Sequence, residues 1–163
     1  MSGRRGFTLL EVLVVLVILA LAAGLASVAW DGDERGGAER QARLFAGALE
    51  HAALRAAIRA ETLGVSADGT GWRFWRRAQG RSAWTPITDD DVLRPKALPS
   101  GLTLRAVAYA GAPLAADAIV PLRATGRNEP FEFALSGDRT RIVLAADPLN
   151  RIALTVTADA SER

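Results

Sequence analysis

The sequence predicts an α+β protein, one long N-terminal helix followed by antiparallel β-structure. Helical patterning, first wholly apolar and then amphipathic, fills roughly the first 63 residues. Short strand-like runs separated by turn residues fill the rest, with no second long helix. At 163 residues the chain is long enough for one globular domain and too short for two.

The apolar part comes first. From Val12 to Ala29 there is no charged residue, and Ser27 is the only hydroxyl. A helix from Phe7 to Trp30 would measure roughly 36 Å and cross a hydrocarbon layer of about 30 Å. Arg4 and Arg5 precede the run, and Asp31, Asp33 and Glu34 follow it. The asymmetry of basic charge predicts a single pass with a cytoplasmic N-terminus and the C-terminal domain across the membrane. Ala22, Gly24 and Ala26 are small enough for a signal-peptidase site. Against a plain secretory signal or anchor stands Glu11, a carboxylate inside the apolar run that demands an explanation.

Asp31-Gly32-Asp33-Glu34-Arg35-Gly36-Gly37 interrupts the apolar run, as a loosened stretch of helix or a short linker. Periodicity then returns: Ala42, Phe45, Leu49, Ala52, Ala53, Ala56, Ala60 and Leu63 mark one apolar face. Arg43, Glu50, Arg55 and Arg59 are expected mostly away from it. The expected divisions are 1–6, 7–30, 31–63 and a β-rich domain over 64–163.

The expected strands are Leu63–Ala67, Trp72–Arg76, Ala83–Ile87, Leu102–Tyr109, Ala118–Leu122, Phe131–Leu135, Arg141–Ala145 and Ile152–Thr157. Turn chemistry separates them, as at Asp68-Gly69, Pro99-Ser100-Gly101, Gly126-Arg127-Asn128 and Asp147-Pro148. The alternation Phe131-Glu132-Phe133-Ala134-Leu135 reads as a half-buried strand.

Charge and composition narrow the function. Without Arg4 and Arg5 the 20 basic residues fall to 18, matching the 18 acidic ones, so bulk charge gives nucleic-acid binding no support. The absence of cysteine removes disulfides, Cys-ligated zinc and thiol nucleophiles. His51 lies on the helix with no evident nucleophile beside it, so a Ser-His-Asp triad is not expected. Asp89-Asp90-Asp91 lacks a calcium-loop pattern, and its neighbouring side chains should diverge. No phosphate-binding glycine loop is present. Trp72-Arg73-Phe74-Trp75-Arg76-Arg77, with Arg81 and Trp84, interleaves aromatics with arginines as a polyanion site would. The reading preferred here is a hairpin with one face in the core and its arginines on the other.

Gly6-Phe7-Thr8-Leu9-Leu10-Glu11, after a basic leader and before a long apolar helix, resembles the type III signal of type IV pilins and type II secretion pseudopilins. The resemblance implies a pilin-like fold in which the second half of the helix packs on antiparallel β-sheets. It also implies cleavage by a prepilin peptidase between Gly6 and Phe7, N-methylation of Phe7, and an assembly role for Glu11, fifth in the mature chain. A terminal amine on one subunit would then neutralise the buried carboxylate of its neighbour.

The soluble part resembles the minor pseudopilin H (GspH) family. Leu98-Pro99-Ser100-Gly101 looks like that family's loop before a strand, and Pro121–Gly126 with Pro130–Phe133 like its strand, turn and strand. Asp147-Pro148-Leu149-Asn150-Arg151-Ile152 looks like its closing turn, with Asn150 where the family has glycine, a residue that tolerates left-handed backbone. The resemblance implies a structural, non-enzymatic subunit of the type II secretion pseudopilus, supporting export of folded proteins and using no cofactor or metal. It would reside in the bacterial inner membrane with a periplasmic domain. Implied partners are other major and minor pseudopilins, the prepilin peptidase, the inner-membrane assembly platform and inner-membrane lipid. The alternative within the superfamily is a minor type IV pilus pilin (FimT-like) that binds DNA, and outside it a signal-anchored periplasmic enzyme.

Overall fold

A computed structural model of the chain describes residues 9–78, 80, 82–115 and 117–158, with the side-chain surroundings of 23–35 and 158 left aside. Helix α1 runs Leu9–Arg59 and carries Glu11 in its first turn. The segment 31–37 is helical despite its glycines. The chain divides into two compact units, 1–36 and 37–163. In the first, residues 9–22 are exposed all round the helix, Leu9 to 85% and Ile18 to 59%. A helix apolar on every side is one that lipid or other helices must cover.

The second unit begins with the amphipathic half of α1. Ala38, Ala42, Phe45, Leu49, Ala52 and Ala56 form its buried face at helical spacing. Small alanines let the helix lie close, and Phe45 supplies the bulk. The helix ends where Glu61 N–H donates to Ala56 C=O at 3.1 Å, with Ala60 left-handed at φ 51°. That six-to-one bond is the Schellman cap. Ala60 and Leu63 therefore do not extend the helical face as expected: Ala60 makes the turn, and Leu63 is buried in the first strand.

The strands follow as β1 Thr62–Gly69, β2 Gly71–Arg77, β3 Thr85–Pro86, β4 Lys96–Ala97, β5 Thr103–Tyr109, β6 Ala112–Pro113, β7 Val120–Leu122, β8 Phe131–Ser136, β9 Thr140–Ala146 and β10 Ile152–Ala158. All eight expected strands form. Two shrink: Ala83–Ile87 to Thr85–Pro86, and Ala118–Leu122 to Val120–Leu122. The two-residue strands β4 and β6 were not expected.

Every pairing is antiparallel, in the order β10-β9-β8-β5-β1-β2-β3, with β4 beside β2, β6 beside β5 and β7 beside β1. β1 is the joint. Its residues 62–67 pair with β2 and 63–65 also with β7, whereas Asp68 and Gly69 pair with β5. Phe45 bridges both halves of this sheet. Its ring lies 5.2 Å from Trp72 of β2 and 5.1 Å, edge-on, from Phe133 of β8. Gly71 is required where β4 meets β2, because a Cβ there would stand 2.2 Å from the Lys96 carbonyl oxygen.

Candidate assembly site and the polar joints around it

The N-terminal motif is only partly in view. Gly6 and Phe7 lie outside the described residues. Glu11 is exposed in the first turn of α1, where the helix dipole favours a carboxylate by about 0.3–1 kcal/mol. Leu9, Leu10 and Val12 around it are also exposed. The arrangement is one anion on an otherwise apolar cylinder. Among the described residues no helical window is long and apolar enough to cross a membrane. Side chains of the apolar run are described over 9–22, roughly 21 Å of helix against a layer of about 30 Å.

The tryptophan-arginine segment forms the hairpin the sequence suggests. Trp72 and Phe74 are buried while Arg73 is exposed. Trp75 lies on the arginine face, two residues on from Arg73. It opposes Gly64 in the ladder, and its Nε1 donates to Ser66 Oγ at 2.8 Å. The Arg73 guanidinium sits 5.6 Å from the Trp75 ring, and that of Arg77 sits 4.8 Å from Trp84. A Cβ on Gly64 would meet Ile119 at 2.6 Å and Trp84 at 2.9 Å, so glycine lets Trp84 lie on the strand. Beside it a groove of 580 Å³ is lined by Arg77, Trp84, Ile119 and Arg123.

The aspartate run scatters, as adjacent loop side chains should. Asp89 reaches Arg76 at 3.7 Å, Asp91 pairs with Arg94, and Asp90 turns inward to α1. There it meets Arg55, which departs from the sequence expectation. Arg55 does not lie away from the packed face; it is only 7% exposed. Its Nη1 donates to Asp90 Oδ2 at 2.7 Å and its Nε to Glu61 Oε1 at 2.8 Å. Asp90 Oδ1 accepts from the Val92 and Leu93 N–H groups at 2.9 and 3.2 Å. Burial opposes the Asp90 charge, but the Arg55 bond and the two backbone donors outweigh it and hold its pKa down to about 2. His51 Nε2 lies 3.4 Å from Asp90 Oδ2, so the lone histidine borders this joint. Among the described residues no group of carboxylates, histidines or cysteines has the spacing of a metal site.

A second polar joint closes the far turns. Asn128 Oδ1 accepts from Arg123 N–H at 2.6 Å, its Nδ2 donates to Asn150 Oδ1 at 2.5 Å, and Asn150 Nδ2 donates to Gly126 C=O at 3.0 Å. Asn150 has φ 62°, the left-handed backbone its position implied. Asp147 accepts from the Leu149 and Arg151 N–H groups and from Arg151 Nε at 2.6 Å. These bonds, led by the Arg151 backbone donor, lower its pKa. Sequence reading missed both joints. Glu61, Asp90 and Asn128 are ordinary loop polars in the sequence, and only Arg55 amid Ala52, Ala53 and Ala56 hinted that a charge was being buried.

Residues 1–27 match the family described as the prokaryotic N-terminal methylation motif. Over 103 residues the chain is 34% identical to type II secretion system protein H of Aeromonas hydrophila, covering 62% of this chain and 56% of the relative. Over 94 residues it is 31% identical to type II secretion system protein H of Escherichia coli strain K12, covering 55% and 56%. The chain thus spans a little over half the length of the curated relatives it matches. Its fold is similar to that of the minor pseudopilin EpsH from the type 2 secretion system of Vibrio cholerae, with a TM-score of 0.60 and 17% identity over 77% of this chain and 99% of that one. At that identity the likeness speaks for fold alone.

Proposed function

We propose that this chain is a minor pseudopilin of the H (GspH) family, a structural subunit of a type II secretion pseudopilus supporting export of folded proteins across the outer membrane. The observation that carries this reading is the union of two parts in one chain: an N-terminal methylation motif over 1–27 and a pseudopilin-like α+β unit. In this reading residues 1–6 are a leader, 7–30 the membrane span, 31–63 the linker and periplasmic half of the helix, and 64–163 the β-rich periplasmic domain. The prepilin peptidase cuts between Gly6 and Phe7, Phe7 is N-methylated, and Glu11 receives the amine of a neighbouring pseudopilin. The protein sits once through the inner membrane among its lipid, on the assembly platform, with a cytoplasmic N-terminus. It does its work by contact and carries no catalysis.

Mass spectrometry of the mature N-terminus in a host with the peptidase tests the processing. Loss of six residues and a methyl group on Phe7 is expected, and a terminus near Ser27 would overturn the reading. Deletion of the gene, followed by assay of proteins outside the cell, tests the export role.

A second reading, a DNA-binding minor pilin of the FimT-like kind, draws on the outward stacks Arg73–Trp75 and Arg77–Trp84. It is the weaker one. Trp72 and Phe74 are lost to the core, and Arg73 and Arg76 already face Asp68 and Asp89 at 3.9 and 3.7 Å. Binding to duplex DNA that weakens steeply with salt and is abolished by Arg77→Ala would favour it.

A further inference from the structure

The sheet's two ends differ. One is β3, two residues long, where Pro86 withholds an N–H from any further strand. The other is β10, seven residues, Ile-Ala-Leu-Thr-Val-Thr-Ala. It holds no charge and no proline, and its register with β9 runs without a bulge. Among the described residues it pairs with β9 alone. Natural sheets normally blunt such an edge with lysine, proline, a bulge or a covering loop, and β10 has none of the first three. Its inner face is also unfinished. Leu144 and Ile142 of β9 are buried, yet Leu154 and Val156 opposite them remain 40% and 48% exposed. A groove of 170 Å³ runs from these two side chains to Glu39, Ala42 and Arg43 of α1. The apolar layer stops one strand short of closing under the helix.

We propose that β10 pairs antiparallel with β10 of a second copy of this chain, centred on Thr155. The strand is self-complementary about that residue. Leu154 falls opposite Val156 on the inner face, and Ile152 stands at the register position of residue 158. Ala153 falls opposite Thr157, and Thr155 opposite Thr155, on the outer one. No like charges meet, and each strand's open row of N–H and C=O groups finds partners. A one-residue slip would set Leu154 against Thr155 and turn apolar side chains to the outer face. A two-residue slip would keep the faces but shorten the ladder from seven opposed pairs to five, so the register centred on Thr155 is favoured. Two seven-residue strands bury less than the roughly 1,200 Å² of a stable interface, which makes the pair weak and reversible. The contact is isologous and closes on itself, unlike the head-to-tail contacts that extend a filament. It is therefore a state apart from the filament and stands independently of the secretion reading.

The chain has no cysteine, which makes the test clean. Full-length protein carrying Thr155→Cys, in detergent, is oxidised with copper-phenanthroline and run on a non-reducing gel. Directly opposed residues lie about 4.5–5.5 Å apart at Cα, within the roughly 4.4–6.8 Å that a disulfide spans. A disulfide dimer is expected. Ala153→Cys alone should stay monomeric, because its opposite number is Thr157. Mixing Ala153→Cys with Thr157→Cys protein should restore a heterodimer. Thr155 is exposed, so its substitution leaves the fold intact. Dimer formation by Thr155→Cys no faster than by Ala153→Cys would overturn the proposal, as would no dimer at all.

Discussion

Arg55 on α1 donates to the Asp90 carboxylate at 2.7 Å across 35 residues of sequence, and the same guanidinium holds Glu61 just past the helix end. One buried cation thus fixes both the end of the helix and the loop that follows β3. Its Nη2 has no partner among the described residues, so the site is committed to these two carboxylates.

This joint predicts acid lability. Asp90 has a folded pKa of about 2, below the unfolded value of roughly 3.9. Its contribution is therefore fully present above about pH 4 and is lost as pH falls through about 2, a difference on the order of 2 kcal/mol. Urea unfolding between pH 5 and 2 should show that loss, and Asp90→Asn should flatten it. Arg55→Met leaves two carboxylates facing an apolar wall and should cost about 3–5 kcal/mol at pH 7. A variant as stable as wild type would show the joint to be solvated.

Ala60 should be improvable. It holds φ 51° at the helix C-cap, exposed, where a side chain costs about 1–2 kcal/mol and glycine costs little. After allowance for glycine's freedom in the unfolded chain, Ala60→Gly is expected to stabilise by about 0.5–1 kcal/mol. Thermal melts of the pair decide it. A lower midpoint for the glycine variant would show that the cap is not formed as described.

Phe45 should be the most costly single truncation on the helix. Among the described residues it is the one large ring touching both Trp72 and Phe133, so Phe45→Ala opens a cavity between the two parts of the sheet. The expected loss is about 3–5 kcal/mol, against roughly 2 kcal/mol or less for Leu44→Ala, where the side chain is half exposed. Equal losses at the two positions would contradict the bridging role.

Most of this architecture was legible because its signals are local. The alternation in Phe131–Leu135 and the three- and four-residue spacing from Ala42 to Ala56 each report their own buried face. Asn150 could be read because left-handed backbone is a property of one residue and its turn. The Arg55 joint could not, since its partners lie 6 and 35 residues away and neither has a local pattern. Which aromatic shares the arginine face was not legible either: strand alternation pairs Trp75 with Arg73, but six large residues in a row mask the period. Of the assembly motif, sequence offers more than structure does, because Gly6 and Phe7 lie outside the described residues.

Asn150 separates conformation from bonding. Asn150→Gly keeps the left-handed backbone and loses the bonds to Asn128 and Gly126; Asn150→Ala loses both advantages. Alanine should therefore destabilise more than glycine, by about 1 kcal/mol. Denaturant midpoints for the two variants measure the difference, and the reverse order would mean that the turn relaxes.

Glu11 should matter for assembly and not for insertion or cleavage. In a single subunit it stands in the first turn of α1, where the dipole favours the charge and water or head groups reach the helix end. Packed among other helices it needs a cation, and under the proposed mechanism that is the amine of Phe7 on an adjacent subunit. An unpaired buried carboxylate is heavily penalised, which makes the pair a device for register more than for affinity. Glu11→Leu removes both the charge and the need for a partner, so the precursor should insert and be cut as wild type. What should fall is ordered incorporation, read by crosslinking to partner pseudopilins, together with secretion in the same cells. Glu11→Gln keeps the shape without the charge and should behave like Glu11→Leu if the amine is the partner. Wild-type crosslinking and secretion by both variants would remove the amine-carboxylate pair from this subunit. A subunit at the filament tip has no neighbour above it and one fewer pair to make, so the same result would point to that position.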